Sequence, residues 1–415
     1  MAAQTEAACL IEAGALYKRR VGLRTPDGRT TFAGFKPGGF ALFDDDAPFY
    51  HFDREGRWQR ALIEGIHYLK GLDGRVVAID RVREGANMRL HRRSVPFGEA
   101  NDLDATVRSA AIDLIGEVRS GAREAVEPTK PGQALDRDGL LDMLERIARW
   151  DAAAWFRHRE RYLETYGPLP FLPPDAQQSA VFQATLGHPV EVAYGGGPGA
   201  EHYVRDRPEF EAHVAQVLEL LGLRRDQCTT AFLAGADFLR QDRAWILECL
   251  DAVADRCRER AADAPAWKGS ITFADDFPSG WIEPEFGRQL AEHGLKRLVL
   301  GIESGDPAIR SACGKSWEDR DLIEGLQGRP EGWGLSVLTL ARPGETASID
   351  ATAALLRQLP WKPGDSVFVL DAAELGGGST PLDEPDFEAQ VAALKAGLAG
   401  AGPKVLPYST DRQWA

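Results

Sequence analysis

Ser179-Ala180-Val181-Phe182-Gln183-Ala184-Thr185-Leu186 reads as a strand, and Gly187-His188-Pro189-Val190-Glu191-Val192-Ala193-Tyr194-Gly195-Gly196-Gly197 follows it as a glycine-rich loop. From Ser179 onward, short apolar runs alternate with helical patterns. Strand candidates are 179–186, 229–234, 270–274, 297–302, 335–341 and 366–371. Helical candidates 208–222, 240–262, 283–294, 306–326 and 346–358 separate them, and 384–400 follows the last strand. Such alternation argues for parallel βα units. Six of them with right-handed crossovers make an open (β/α)6 barrel or a doubly wound sheet. In either architecture ligands bind at the carboxyl ends of the strands. The loops after Leu186, Leu233, Phe273 and Gly301 therefore share one rim.

Upstream of this repeat the pattern changes. Tyr17 to Leu23 and Thr30 to Phe35 flank the turn signal Pro26-Asp27-Gly28, and Phe40–Phe43, Arg75–Arg81 and Met88–Val95 read as further strands. Phe49 to Arg57 combines aromatic residues with a charged turn. Apolar residues recur at helical spacing over Asn101–Glu124 and again over Asp136–Tyr166. Gly167 to Asp175 is proline-rich and extended, because proline fixes φ and lacks a donor. The expected organisation is an N-terminal β-rich module with a helix (1–126), a helical linker with a proline-rich lead (127–175), and the barrel with its C-terminal helix (176–415).

Composition bounds the function. At 415 residues the chain is long enough for two or three domains. No apolar run approaches the length of a membrane span. The stretch Met1 to Glu6 has no basic region before an apolar segment, so a cytoplasmic protein is expected. A net charge of −14 argues against a general nucleic-acid surface. Arg81, Arg83, Arg89, Arg92 and Arg93 cluster in sequence and read as a solvated strand face rather than an anion site. Five scattered cysteines, Cys9, Cys228, Cys249, Cys257 and Cys313, suggest reduced thiols. Cys249 and Cys257 lie two helical turns apart and read as small core residues.

Three segments carry a resemblance. Leu172-Pro173-Pro174-Asp175 followed by Val181 to Gly187 resembles the approach to the cluster loop of radical S-adenosylmethionine (SAM) proteins, of the elongator-like and cobalamin-independent type. Phe232-Leu233-Ala234-Gly235-Ala236-Asp237-Phe238-Leu239 resembles the second-strand motif that binds the SAM amino group. Leu298 to Gly305, followed by Gly314-Lys315, resembles that superfamily's Gly-Ile-Glu-Ser-Gly and Gly-Lys segment. The resemblance covers about residues 167 to 410. It implies an open (β/α)6 partial TIM-like barrel that binds SAM through Ala234, Gly235, Ala236, Asp237, Glu303 and Ser304. It also implies a cysteine triplet just after Gly187. The candidate positions are His188, Val192 and Gly195, or His188, Ala193 and Gly196, and none is cysteine. Val, Ala and Gly offer no thiolate to iron. A [4Fe–4S] cluster, and reductive SAM cleavage through it, is therefore not expected.

The altered loop has several readings. Gly195 to Gly199 can act as replacement filler or as an anion cradle of exposed amides. His188, Glu191, Glu201 and His202 are ligand types that can hold zinc or iron. Asp237 can bind a ligand ammonium or cap the helix that follows it. Glu303 can serve a ligand or pair with Lys315 or Arg310. In the first module His51, Asp53 and His67 lack a recognisable nucleophile and read as structural, and Phe49, Tyr50, Phe52 and Trp58 read as core. The expected function is a cluster-free scaffold, a partner subunit of an active radical SAM enzyme, or a small-molecule binder at the barrel mouth that still holds SAM. The rival is an enzyme with non-radical chemistry at the same rim, using a metal or bound SAM.

Overall fold

The computed structural model describes residues 18–36, 39–44, 47–84, 87–126, 132–166, 172–187, 202–235, 237–260, 264–344, 346–375 and 380–410, with the side chains of 84, 87–90, 346 and 347 excepted. The first half is a nine-stranded antiparallel sheet. Its strands are β1 (Arg20–Arg24), β2 (Thr30–Lys36), β3 (Gly39–Asp44), β4 (Phe49–Asp53), β5 (Trp58–Ile63), β6 (Ile66–Lys70), β7 (Val76–Glu84), β8 (Asn87–Ser94) and β9 (Glu124–Val126). They form a meander from β8 to β1, with β9 added outside β1. Two-residue alternation drives it: Thr31, Ala33 and Phe35 of β2 are buried, and the residues between them are not.

Two helices cover this sheet, α1 (Phe97–Ser120) and α2 (Arg137–Ala148). Leu103, Val107, Ala111, Leu114 and Val118 form the buried stripe of α1. That helix stops at Gly121, whose φ of 72° gives the left-handed cap that favours glycine. Tyr50, Phe52 and Trp58 join this core. The segment 136–166 is two helices rather than one. The chain breaks after α2, and the Asp151 carboxylate accepts the Ala154 amide at 2.8 Å to start α3 (Ala152–Tyr166).

The second half is a seven-stranded parallel sheet: β10 (Ser179–Gln183), β13 (Thr230–Ala234), β14 (Gly269–Ala274), β15 (Leu295–Glu303), β16 (Gly334–Ala341), β17 (Ser366–Asp371) and β18 (Lys404–Pro407), in that order. The short β11 (Thr185–Leu186) and β12 (Tyr203–Val204) pair antiparallel beside it. Strictly sequential order without a reversal separates this sheet from the doubly wound alternative, which needs a switch point. Right-handed crossovers in one sense put the helices on one side, as in an open partial barrel. Those helices are α4 (Arg207–Leu221), α5 (Arg243–Arg258), α6 (Pro284–Glu292), α7 (Pro307–Ala312), α8 (Asp319–Gln327), α9 (Thr346–Leu356) and α10 (Glu384–Gly397).

Two expectations need correction. A seventh strand, β18, extends the sheet. The helical candidate 306–326 is two helices, because Gly314 takes a φ of 82° and turns the chain between α7 and α8. Cys249 and Cys257 lie in the barrel core, where burial pushes their thiols up, Cys257 to about 12. Among the described residues no helix is long and apolar enough to cross a membrane.

The β4–β5 turn joins the two halves. Arg57 donates from Nη1 to the Leu220 carbonyl at 2.8 Å and from Nη2 to the Leu221 carbonyl at 2.5 Å. It thereby satisfies the last turn of α4, where helix carbonyls lack internal partners. Its Nε meets Asp53 at 2.6 Å. Glu55 accepts the Leu223 amide at 2.9 Å. Gly56 allows the turn to seat against α2, since a Cβ there would lie 2.5 Å from the Arg146 carbonyl carbon. The contacted residues precede β13. The β-rich half thus docks at the amino ends of the barrel strands, away from the carboxyl-end rim. Asp53 is accordingly a structural anchor.

Candidate functional site

The rim begins where β10 ends. Asp237 follows β13, is buried, and accepts three side-chain hydrogen bonds: from Thr185 Oγ1 at 2.7 Å, from Gln241 Nε2 at 2.8 Å, and across 2.6 Å with His202 Nε2. Its carboxylate makes no capping bond to the turn it precedes. The capping alternative for Asp237 is therefore replaced by a side-chain network. Gly235 makes that network possible: its φ is +126°, and a Cβ there would collide with Thr185 Oγ1. The β11–β12 ladder pairs Leu186 with Tyr203, so the chain on either side of 188–201 is held beside Asp237.

Two residues read from sequence with separate roles, Asp237 and His202, are thus direct partners. His188, Glu191, Glu201 and Ala236 lie outside the described residues. Among the described residues no group of three or more His, Cys, Asp or Glu side chains is placed to hold a metal ion. The four described cysteines, Cys228, Cys249, Cys257 and Cys313, are buried and unbridged. None lies in the loop directly after β10, since 187–201 contains no cysteine, so these residues do not fit a [4Fe–4S] cluster.

Beyond β14, a second cluster occupies the rim. Lys315 Nζ bonds Asp275, which follows β14, and lies 3.8 Å from Glu303 Oε1 at the end of β15. All three are buried. Glu303 has a φ of +51°, a left-handed conformation that is costly for a side-chain-bearing residue. Thr339 Oγ1 holds its carbonyl at 2.9 Å. Its Oε2 is buried without a hydrogen-bond partner among the described residues. Burial, with Asp275 adding repulsion, pushes the Glu303 carboxyl to about 8 despite Lys315, Arg342 and Arg310. Burial alone would lower the Lys315 ammonium, but Glu303 and Asp275 outweigh it and hold it above the usual lysine range. One ammonium faces two carboxyls, and Asp275 has the closer contact. At about 8, the Glu303 carboxyl favours its protonated form near neutral pH.

The neighbours fix this arrangement. Arg310 pairs with Asp319 at 2.5 Å, donates to the Gly305 carbonyl at 3.0 Å and stacks 4.2 Å over Trp317. Of the two alternatives for Glu303, Lys315 is the nearer partner. Ser304 accepts the Asp306 amide at 3.1 Å, a turn-forming role. Ala234 is half-buried at the end of β13. Arg342, which follows β16, donates to Cys313 Sγ at 2.8 Å. Sequence reasoning missed Asp275, Arg342, Gln241 and Thr185. For Asp275 and Arg342 the available signal was their position directly after strands on the rim; Thr185 and Gln241 carried none.

No protein-family model and no curated protein matches the chain. Among solved structures it is distantly similar to several radical SAM proteins. The archaeal Methanocaldococcus infernus Elp3 with an N-terminal deletion shares 15% identity over 52% of this chain and 54% of that one, with a TM-score of 0.33. The radical SAM methyltransferase TsrM from Kitasatospora setae shares 15% over 47% and 36%, with a TM-score of 0.34. A radical SAM methyltransferase from Sphaerobacter thermophilus shares 14% over 58% and 68%, with a TM-score of 0.40. The chain spans about half or less of the first two.

Proposed function

We propose that this chain is a cluster-free radical-SAM-like barrel that keeps its carboxyl-end rim as a small-molecule site, with SAM as the first candidate ligand. The observation that carries the reading is Glu303: a buried carboxyl in a strained conformation at a strand end, with one oxygen lacking a partner among the described residues. Strain and a displaced pKa at a strand terminus cluster at ligand sites. Ligand donors, such as the SAM ammonium or ribose hydroxyls, would meet Glu303, while Asp237 and Gly235 would shape the neighbouring strand end. Bound SAM would supply an electrophilic methyl group. The chain's own residues would bind and orient it.

One observation favours a second reading, an enzyme with non-radical chemistry. A carboxyl near 8 changes protonation close to neutral pH, which suits a general acid or base. Calorimetric titration with SAM and S-adenosylhomocysteine tests the main proposal. Saturable heat that Glu303→Gln weakens supports it. No heat and no thermal shift leaves the scaffold or partner-subunit role. A stoichiometric [4Fe–4S] spectrum after anaerobic reconstitution, bleaching during SAM-dependent turnover, would overturn the cluster-free reading.

A further inference from the structure

At the opposite end of the barrel a cavity of about 330 Å³ lies between the β-rich half and the amino ends of the strands. That volume falls in the range of small-molecule sites. Its charge is one-sided. Lys36, Arg60, Lys70 and Arg224 line it, and no aspartate or glutamate does among the described residues. This is unusual in a chain with a net charge of −14. Lys70 is already engaged, bonding Asp104 at 2.6 Å and 2.8 Å. Lys36 and Arg60 are exposed while lining the cavity, and Arg224 brings a guanidinium whose charged form is disfavoured by burial.

Neutral hydrogen-bonding groups complete the wall. Gln177, Gln178 and Ser179 contribute where the chain enters β10. His51 also lines it, and burial together with the charges of Lys36 and Arg60 lowers its imidazole to about 4. It is therefore neutral at physiological pH and adds a hydrogen-bonding group without charge. Leu69, Leu72 and Tyr166 supply an apolar side. A bare inorganic ion would leave that side uncovered.

We propose that this cavity is a second binding site, for a small organic molecule with a dianionic phosphate head and a compact apolar or aromatic body. The head would meet Lys36, Arg60 and Arg224, and the body would lie against Leu69, Leu72 and Tyr166. Two exposed cations, Lys36 and Arg60, on a wall to which no aspartate or glutamate contributes among the described residues, match a phosphomonoester better than a single carboxylate. The site is on the module-docking side, so its occupancy would also tie the two halves together.

Phenyl phosphate is the probe, with phenol and benzoate as neutral and monoanionic controls. Titration calorimetry on the full chain should show saturable phenyl phosphate binding that weakens with salt. Phenol and benzoate should bind at least tenfold more weakly. The double variant Lys36→Gln/Arg60→Gln should lose at least tenfold in phenyl phosphate affinity, and each single variant part of that. Both side chains are exposed, so the melting temperature of the double variant should match the parent. Its response to SAM should also match the parent, which separates this site from the rim. Absence of phenyl phosphate binding, equal binding of phenol or benzoate, or unchanged affinity in the double variant would each overturn the proposal.

Discussion

Lys315 Nζ stands 3.8 Å from Glu303 Oε1 and closer still to Asp275, so one buried ammonium serves two carboxyls from the ends of neighbouring strands. The Glu303 carboxyl rises from 4.5 to about 8, chiefly through burial, with Lys315, Asp275, Arg342 and Arg310 facing it. Between those values the folded chain holds a proton that the unfolded chain has released. The contribution of Glu303 to stability therefore falls as pH rises through this window, by up to ~1.4 kcal/mol per pH unit. Glu303→Gln removes that slope. The melting temperature of Glu303→Gln relative to the parent should climb steadily from pH 5 to pH 8. A constant difference across that range would count against a protonated Glu303.

Lys315→Met tests the same cluster from the other side. It strands Asp275 and Glu303 in a buried site without their cation. Breaking such a group by removing one partner costs ~3–5 kcal/mol. The loss should be larger at pH 8 than at pH 5, where Glu303 is neutral in either protein. Urea unfolding at the two pH values measures it. A loss below 1 kcal/mol at both would mean that solvent reaches the pair.

Asp237→Asn is expected to act on the first cluster. Asparagine keeps the shape but places an amide where the carboxylate accepts from Thr185, His202 and Gln241. At least one buried donor then loses its acceptor, at ~1–3 kcal/mol. Thermal unfolding should report that loss, and titration with SAM should show whether the rim still binds. Loss of stability with unchanged SAM heat would make Asp237 a scaffold residue rather than a ligand contact.

The parallel sheet was legible because its strands are short, apolar and regularly separated, but the first candidate, 179–186, is divided: Ser179–Gln183 lies in the sheet, and Thr185–Leu186 pairs with Tyr203–Val204 instead. The last strand, Lys404–Pro407, was not legible. It has four residues, lies at the sheet edge, and buries only Val405, so it carries no periodic signal. Glu303 and Lys315 could be named as a pair because a glycine-lysine step follows the strand at short range. The link between His202 and Asp237 needs the chain to return across 35 residues, which no local pattern encodes. Asp53 read as structural and Phe49–Arg57 as a charged turn, but what the turn holds depends on where α4 ends, at Leu220 and Leu221, 163 and 164 residues along the chain from Arg57.

That turn gives the last expectation. Arg57 is buried and bonds Asp53, Leu220 and Leu221, so it joins the β4–β5 turn to the C-terminal carbonyls of α4. Arg57→Met leaves the Asp53 carboxylate fully buried without its cation and removes the donors to two helix carbonyls. The expected cost is ~3–5 kcal/mol, most of it from the stranded Asp53. The Asp53 carboxylate also accepts the backbone amides of Glu55 and Arg57, at 2.9 Å and 3.0 Å, so the turn itself does not vanish with the arginine. The double variant Asp53→Asn/Arg57→Met should therefore regain part of the loss, because the uncompensated charge is gone while the amide acceptor is retained. Differential scanning calorimetry reads a further consequence. If this turn couples the β-rich half to the barrel, Arg57→Met should broaden or split the unfolding endotherm, with the two halves melting apart. A single sharp transition, lowered by less than the double variant's, would assign the coupling elsewhere along the interface, to Glu55 and the Leu223 amide.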